Sequence, residues 1–320
     1  MIKYSIVVPL YNEELVIEET HKRLSAVMQG TNEEYEIIYV NDGSRDKTPE
    51  LAKEIMQKDK NVCLINFSRN FGHQTAITAG MDNARGQAIV VIDADLQDPP
   101  EIILDMIAKW KEGFDVVYGR RSVREGETVF KKVTAKVFYR FLSSLTDIDI
   151  PTDTGDFRLI DRKVCDALKS VKEKNRYIRG LISWLGFKQT DVTYVRKERF
   201  AGTTKYPLKK MLKFAGDAIT SFSYKPLKLA AYMGYAISIA SFLYLIYVII
   251  RKLTIGDFDS GWASIVAISL FFNGVVLIVL GIMGEYIGRI YDECKNRPLY
   301  VIAEKLGFDE RIVSQNDTEE

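Results

Sequence analysis

Short, almost wholly apolar runs at residues 5–9, 36–40, 62–67, 88–93 and 115–118 punctuate the N-terminal part of the chain. Runs that do not alternate with polar residues read as strands covered on both faces. Between them, residues 14–28, 49–57, 74–84 and 100–111 place apolar side chains at helical spacing. Strands alternating with amphipathic helices predict an α/β domain with a mostly parallel sheet and helices on both faces. Asn12 is placed to cap the first helix, and Thr48-Pro49-Glu50 opens the second well.

The pattern changes after residue 205. Residues 227–250 carry one charged side chain, Lys228, and residues 262–284 have only Asn273 clearly polar in their middle. About 20 apolar residues cross the hydrocarbon core of a bilayer, so both stretches are expected to be transmembrane helices. Just before them, in 206–226, Leu208, Met211, Leu212, Ala215, Ile219 and Phe222 recur at helical spacing, with Lys209, Lys210 and Lys213 on other faces. That is an interfacial pattern, apolar side down and lysines towards anionic headgroups. The connector, 251–261, is a short external loop with two basic and two acidic residues. Lysines and arginines crowd the opposite ends of the spans, from Lys205 to Lys228 and at Arg289, Lys295 and Arg297. The positive-inside rule then puts residues 1–205, the C-terminal segment 285–320 and both termini in the cytoplasm. The acidic tail after Gly307 is expected to fray.

Composition narrows the classes further. Lys and Arg number 44 against 43 Asp and Glu, a net charge of +1, so no bulk field favours nucleic acid. Cys63, Cys165 and Cys294 are far apart, giving neither a zinc pattern nor a disulfide framework. Met1 to Pro9 is too short and strand-like for a secretory signal.

Candidate chemistry gathers where strands end. Asp93 and Asp95 close the run that begins at Ala88, the edge where open α/β sheets bind ligands. Asp-x-Asp there suits a hard divalent cation whose shell is completed by substrate phosphates; the plainer alternative is that the two carboxylates cap the helix starting near Pro99. The first strand runs into Pro9-Leu10-Tyr11-Asn12-Glu13 and the second into Asn41-Asp42-Gly43-Ser44, either a nucleotide contact or simply a turn. Neither a P-loop nor a dinucleotide-binding glycine pattern is present. His73 approaches a pyrophosphate or serves as a structural histidine, and His21 is expected to be solvated. Arg176, Arg179 and Trp184 share only composition with the QxxRW sequence of processive synthases.

These motifs, with Ser68-Arg69-Asn70-Phe71-Gly72 and Gly155-Asp156-Phe157-Arg158-Leu159, give the chain its resemblance to family-2 glycosyltransferases of the GT-A fold. More narrowly, it resembles the polyprenyl-phosphate glycosyltransferases, the dolichol-phosphate mannose synthase-like group. The likeness is dense from Lys3 to Tyr206, and the two spans match bacterial members that carry their own anchor. It implies that Pro9, Tyr11, Glu13, Asp42 and Asp93 surround the nucleotide. Asp93, Asp95 and Gln97 would hold Mg²⁺ or Mn²⁺, and Asp156 would lie near the reacting sugar, as a base or as an orienting group. Arg121, Arg199 and Lys205 would meet the lipid phosphate. The implied reaction is an inverting transfer from a nucleotide sugar, first UDP-glucose, to undecaprenyl phosphate, by an enzyme assembled as a homotetramer. Two other functions share the motifs: a processive polysaccharide synthase, and a non-catalytic membrane protein that senses nucleotide sugars.

Overall fold

The structure is a computed structural model that describes residues 1–122, 154–196, 225–255 and 261–308. The apolar runs form strands as expected. β1 (Tyr4–Leu10), β2 (Tyr35–Asn41) and β3 (Val62–Phe67) are buried along their whole length. β4 (Ala88–Val91) is shorter than its apolar run, so Asp93 and Asp95 lie on the loop just beyond it. β5 (Val116–Arg121), β6 (Thr154–Asp161), β7 (Gln189–Tyr194) and β8 (Ile302–Leu306) complete an eight-stranded sheet of order β7-β5-β6-β4-β1-β2-β3-β8. β1 pairs in parallel with β2 and β4, β2 with β3, and β5 with β7. β6 is antiparallel to both β4 and β5, which brings the start of β6 to the edge where β4 ends.

The helices α1 (Ile17–Gln29), α2 (Thr48–Lys58), α3 (His73–Asn83) and α4 (Ile102–Lys111) follow the predicted spacing. α5 (Arg162–Ser170) and α6 (Ile178–Trp184) come after β6. The core lies between sheet and helices, with Tyr4, Tyr39 and Phe157 among its largest fully buried side chains. Each such side chain, like the Val, Leu and Ile around it, contributes roughly 1.5–3 kcal/mol by leaving water.

Two local expectations are corrected. Asn12 does not cap α1, which begins at Ile17 without a side-chain cap. Instead Asn12 takes a left-handed conformation (φ 55°) and its Oδ1 accepts from the Arg45 N–H at 2.9 Å. His21 is not solvated: its side chain is 18% exposed, and Nδ1 lies 3.2 Å from the Tyr39 hydroxyl.

α7 (Lys225–Ile255) and α8 (Trp262–Cys294) belong to a second compact unit. Both are long and apolar enough to cross a membrane. Large apolar side chains such as Phe242, Phe271 and Leu277 stand exposed along them. α8 continues as a helix beyond the apolar stretch, where Arg289 pairs with Glu285 one turn away.

The chain then returns to the first unit. β8 pairs antiparallel with β3 and covers what would otherwise be an open edge. Beyond it, the Cys63 thiol donates to the Gly307 carbonyl at 3.1 Å, and Arg85 Nη1 donates to the Phe308 carbonyl at 3.0 Å. The same Arg85 grips the fully buried Glu36 through Nε at 2.9 Å and Nη2 at 2.6 Å. The Ser5 hydroxyl also donates to Glu36, at 2.7 Å, so one buried carboxylate ties β1, β2 and the turn before β4 together, and Arg85 links them to the segment after β8.

Candidate active site

The carboxyl ends of β1, β2 and β4 and the start of β6 form one edge of the sheet, and the sequence-predicted residues sit along it. At the end of β1, Pro9 is buried and Tyr11 exposed, while the Glu13 backbone N–H donates to Thr48 Oγ1 at 2.8 Å. At the end of β2, Asp42 is 3% exposed. Its carboxylate accepts from the N–H groups of Phe71 and Gly72, at 2.6 and 2.9 Å, and from the Asn70 amide at 2.9 Å. Burial pushes the Asp42 pKa up against these bonds. Gly43 is required here: its φ is +66°, and a Cβ would come within 2.6 Å of the backbone of Arg69 and Asn70.

Asp93 and Asp95 do not cap α4, whose first residue follows Glu101 with no side-chain cap. Asp93 instead faces His73, at the N-terminus of α3, and Asp156, on β6. His73 Nε2 lies 3.4 Å from an oxygen of each carboxylate. Asp156 is 7% exposed and heavily engaged. Arg179, from α6, donates through Nε at 2.8 Å and Nη2 at 3.1 Å, and Gln74 Nε2 donates at 3.1 Å. Gln74 is itself fixed, accepting from the Ile178 N–H at 3.1 Å.

The electrostatics follow from this packing. Burial alone would raise the Asp156 pKa, but Arg179 and His73 outweigh it and hold the group well below the usual carboxylate range. Burial alone would lower the His73 pKa; Asp93 and Asp156 overcome it and push it up to about 9. Asp93 is raised to about 6, chiefly by burial, with His73 opposing and Asp156 adding to it.

The same loop continues into a second group. Asp98 is 1% exposed and accepts from the Tyr194 hydroxyl, with Arg121 Nη2 at 3.6 Å and Arg196 Nε at 3.9 Å. Arg196 Nη2 donates to Gln97 Oε1 at 2.7 Å. Arg121 is thereby brought beside the Asp93–Gln97 segment. Arg199 and Lys205 lie outside the described residues, as does the stretch 206–224. Gln74, Asp98, Tyr194 and Arg196 were not singled out by sequence, and Arg179 was named only for its composition beside a QxxRW sequence that is absent. Nothing near Arg179 announces its pairing 23 residues back.

Among the described residues, no three His, Cys, Asp or Glu side chains form a ready metal cage. The donor set nevertheless fits a hard cation completed by substrate phosphates: two carboxylates and an amide oxygen close together on one loop. Among the described residues, Asp93 Oδ1 is buried without a hydrogen-bond partner, with His73 Nε2 3.4 Å away.

Known proteins resemble the chain over both its sheet and its hairpin. Residues 5–169 match the family described as Glycosyl transferase family 2, and residues 225–290 match the GtrB C-terminal hairpin. An uncharacterised glycosyltransferase, YkcC of Bacillus subtilis, is 62% identical, covering 97% of this chain and 96% of its own. The SfII prophage-derived bactoprenol glucosyl transferase of Shigella flexneri is 41% identical over 94% of this chain and 97% of its own. Among solved structures, the mannosyltransferase PcManGT of Pyrobaculum calidifontis, in complex with GDP-Man and Mn²⁺, is 16% identical with a TM-score of 0.45, covering 80% of this chain and 88% of that one.

Proposed function

Because the chain belongs to glycosyl transferase family 2, with the GT-A fold and a GtrB-type hairpin, we propose that it moves one sugar from a nucleotide diphosphate to the phosphate of a polyprenyl lipid. The donor is UDP-glucose, the acceptor undecaprenyl phosphate, and the reaction inverts the anomeric carbon at the cytoplasmic face of the cell membrane. One observation carries this reading: a hairpin apolar enough to span a bilayer is entered and left from the same nucleotide-type sheet, β7 before it and β8 after it. With both helices crossing the bilayer, the two ends of the hairpin would face one compartment, and the surplus of lysine and arginine on those ends supports the cytoplasm as that compartment. The end-to-end likeness to a bactoprenol glucosyl transferase supports the lipid acceptor and glucose.

The chemistry needs little proton transfer. A phosphomonoester loses its second proton near pH ~6, so the acceptor oxygen is already anionic when it attacks the anomeric carbon. The bond from that carbon to the nucleoside diphosphate breaks as the new one forms. Asp156, held below the usual range by Arg179 and His73, is too weak a base to be needed and orients the sugar instead. Asp93, Asp95 and Gln97 would hold Mg²⁺ or Mn²⁺, which supplies charge neutralisation to the departing pyrophosphate. Pro9, Tyr11, Glu13 and Asp42 line the nucleotide side, with the Asp42 carboxylate shaping the Asn70–Gly72 turn from within. Arg121, Arg199 and Lys205 receive the lipid phosphate, Arg offering a planar fork and Lys a point charge.

The test is to incubate membranes containing the protein with radiolabelled nucleotide sugars and undecaprenyl phosphate. A single labelled glucose on the lipid, lost on chelation of divalent cations, is expected. A growing polymer would identify a processive synthase, and donor binding without transfer would identify a sensor; either would overturn the proposal.

A further inference from the structure

The strand that follows the hairpin reaches into the donor side of the sheet. In the register of the sheet, Glu304 on β8 stands opposite Asn66 on β3, Asn66 opposite Asn41 on β2, and Asn41 opposite Leu10 on β1. Register partners project from one face, so Glu304, Asn66 and Asn41 form a row from the edge of the sheet to the turn at its nucleotide end. The row is hydrogen-bonded throughout. Asn66 Nδ2 donates to Glu304 Oε2 at 2.8 Å, Asn41 Nδ2 donates to Asn66 Oδ1 at 2.9 Å, and the Ser44 N–H donates to Asn41 Oδ1 at 3.0 Å. From Ser44 it continues into the loop after β1, where the Asn12 N–H donates to Ser44 Oγ at 3.0 Å.

Direction is the important property of this ladder. A side-chain amide donates at one end and accepts at the other, whereas a carboxylate only accepts. Glu304 therefore turns the Asn66 NH₂ towards itself, leaving the Asn66 oxygen for the Asn41 NH₂ and the Asn41 oxygen for the Ser44 N–H. In the reversed ladder, Asn41 would set NH₂ against that N–H, donor against donor. Asn41 and Asn66 are 4% and 8% exposed, so water does not readily repair the mismatch. Lys53 Nζ, 2.7 Å from Glu304 Oε2, keeps the carboxylate ionised.

We propose that Glu304 is a positioning residue for the donor: through the Asn66–Asn41 ladder it fixes the Asp42-Gly43-Ser44 turn that receives the nucleotide. The proposal rests on the donor reading above. It is tested on the full-length protein in detergent by titrating UDP calorimetrically and measuring kcat and KM with UDP-glucose. Glu304→Gln keeps the shape but has a single acceptor oxygen, which the Lys53 ammonium claims; its NH₂ then faces Asn66 and favours the reversed ladder, so UDP Kd and UDP-glucose KM should both rise roughly tenfold, with kcat within about twofold. Adding Asn66→Asp moves the obligate acceptor one rung inward. That carboxylate accepts from the introduced glutamine amide and from Asn41, restoring the direction, and Kd should return to within about threefold of wild type. A single variant with unchanged Kd, or a double variant no better than the single, overturns the relay while leaving the glycosyltransferase reading intact. A wild-type protein that binds neither UDP nor UDP-glucose overturns the donor reading and the relay with it.

Discussion

Asp156 is held from three directions, by the Arg179 fork, the Gln74 amide and the His73 ring. A side chain so fixed acts through its position. Replacing Arg179 with lysine keeps a charge but loses the two-pronged geometry that sets the carboxylate. Arg179→Lys should lower kcat by about tenfold or more while changing UDP affinity by less than about threefold; single-turnover rates beside calorimetric UDP titrations measure both, and equal losses in the two would show that Arg179 serves binding instead. His21 gives a different expectation. Burial lowers its pKa below 6.5, against the pull of Asp59 at 3.6 Å. A histidine whose folded pKa is depressed favours the native state above its unfolded value and loses that contribution as pH falls through it. Melting temperatures at pH 7.5 and 5.5 should therefore fall less in His21→Gln than in wild type, and parallel falls would remove His21 from the account.

Elements are held together by a few polar fasteners, among them the Glu36–Arg85 pair, whose carboxylate is fully buried. Removing one partner of such a pair leaves a charge without compensation, at a cost of about 3–5 kcal/mol. Arg85→Met should therefore destabilise the sheet unit by about 3 kcal/mol or more, visible as a lower denaturant midpoint in detergent; Glu36→Met with Arg85→Met together should recover part of it. The elements themselves were largely legible in the sequence, because strands covered on both faces must be apolar throughout and Asp-x-Asp follows one of them directly. β8 was not legible. Its five residues, Ile302-Ala303-Glu304-Lys305-Leu306, alternate weakly, and their pairing depends on β3, far back in the chain. The same limit hid the Arg179–Asp156 pairing, the role of Gln74 and the turn that draws Asn12 away from capping α1: each is set by a tertiary partner that no local spacing encodes.

At the scale of the whole molecule, the two long helices lie between β7 and β8 in chain order. The proposed topology places Cys294, at the polar end of α8, in the cytoplasm. It is the exposed one of the three cysteines, Cys63 and Cys165 being buried. A membrane-impermeant maleimide should accordingly label inverted vesicles and leave intact cells unlabelled, and labelling from outside would reverse the orientation. This order also has a temporal side. β8 emerges from the ribosome only after both long helices have been made, and until then β3 offers nascent chains an unpaired edge. Completion of the proposed donor site would thereby follow synthesis of both long helices, and a polypeptide stalled before β8 would lack the strand that carries Glu304.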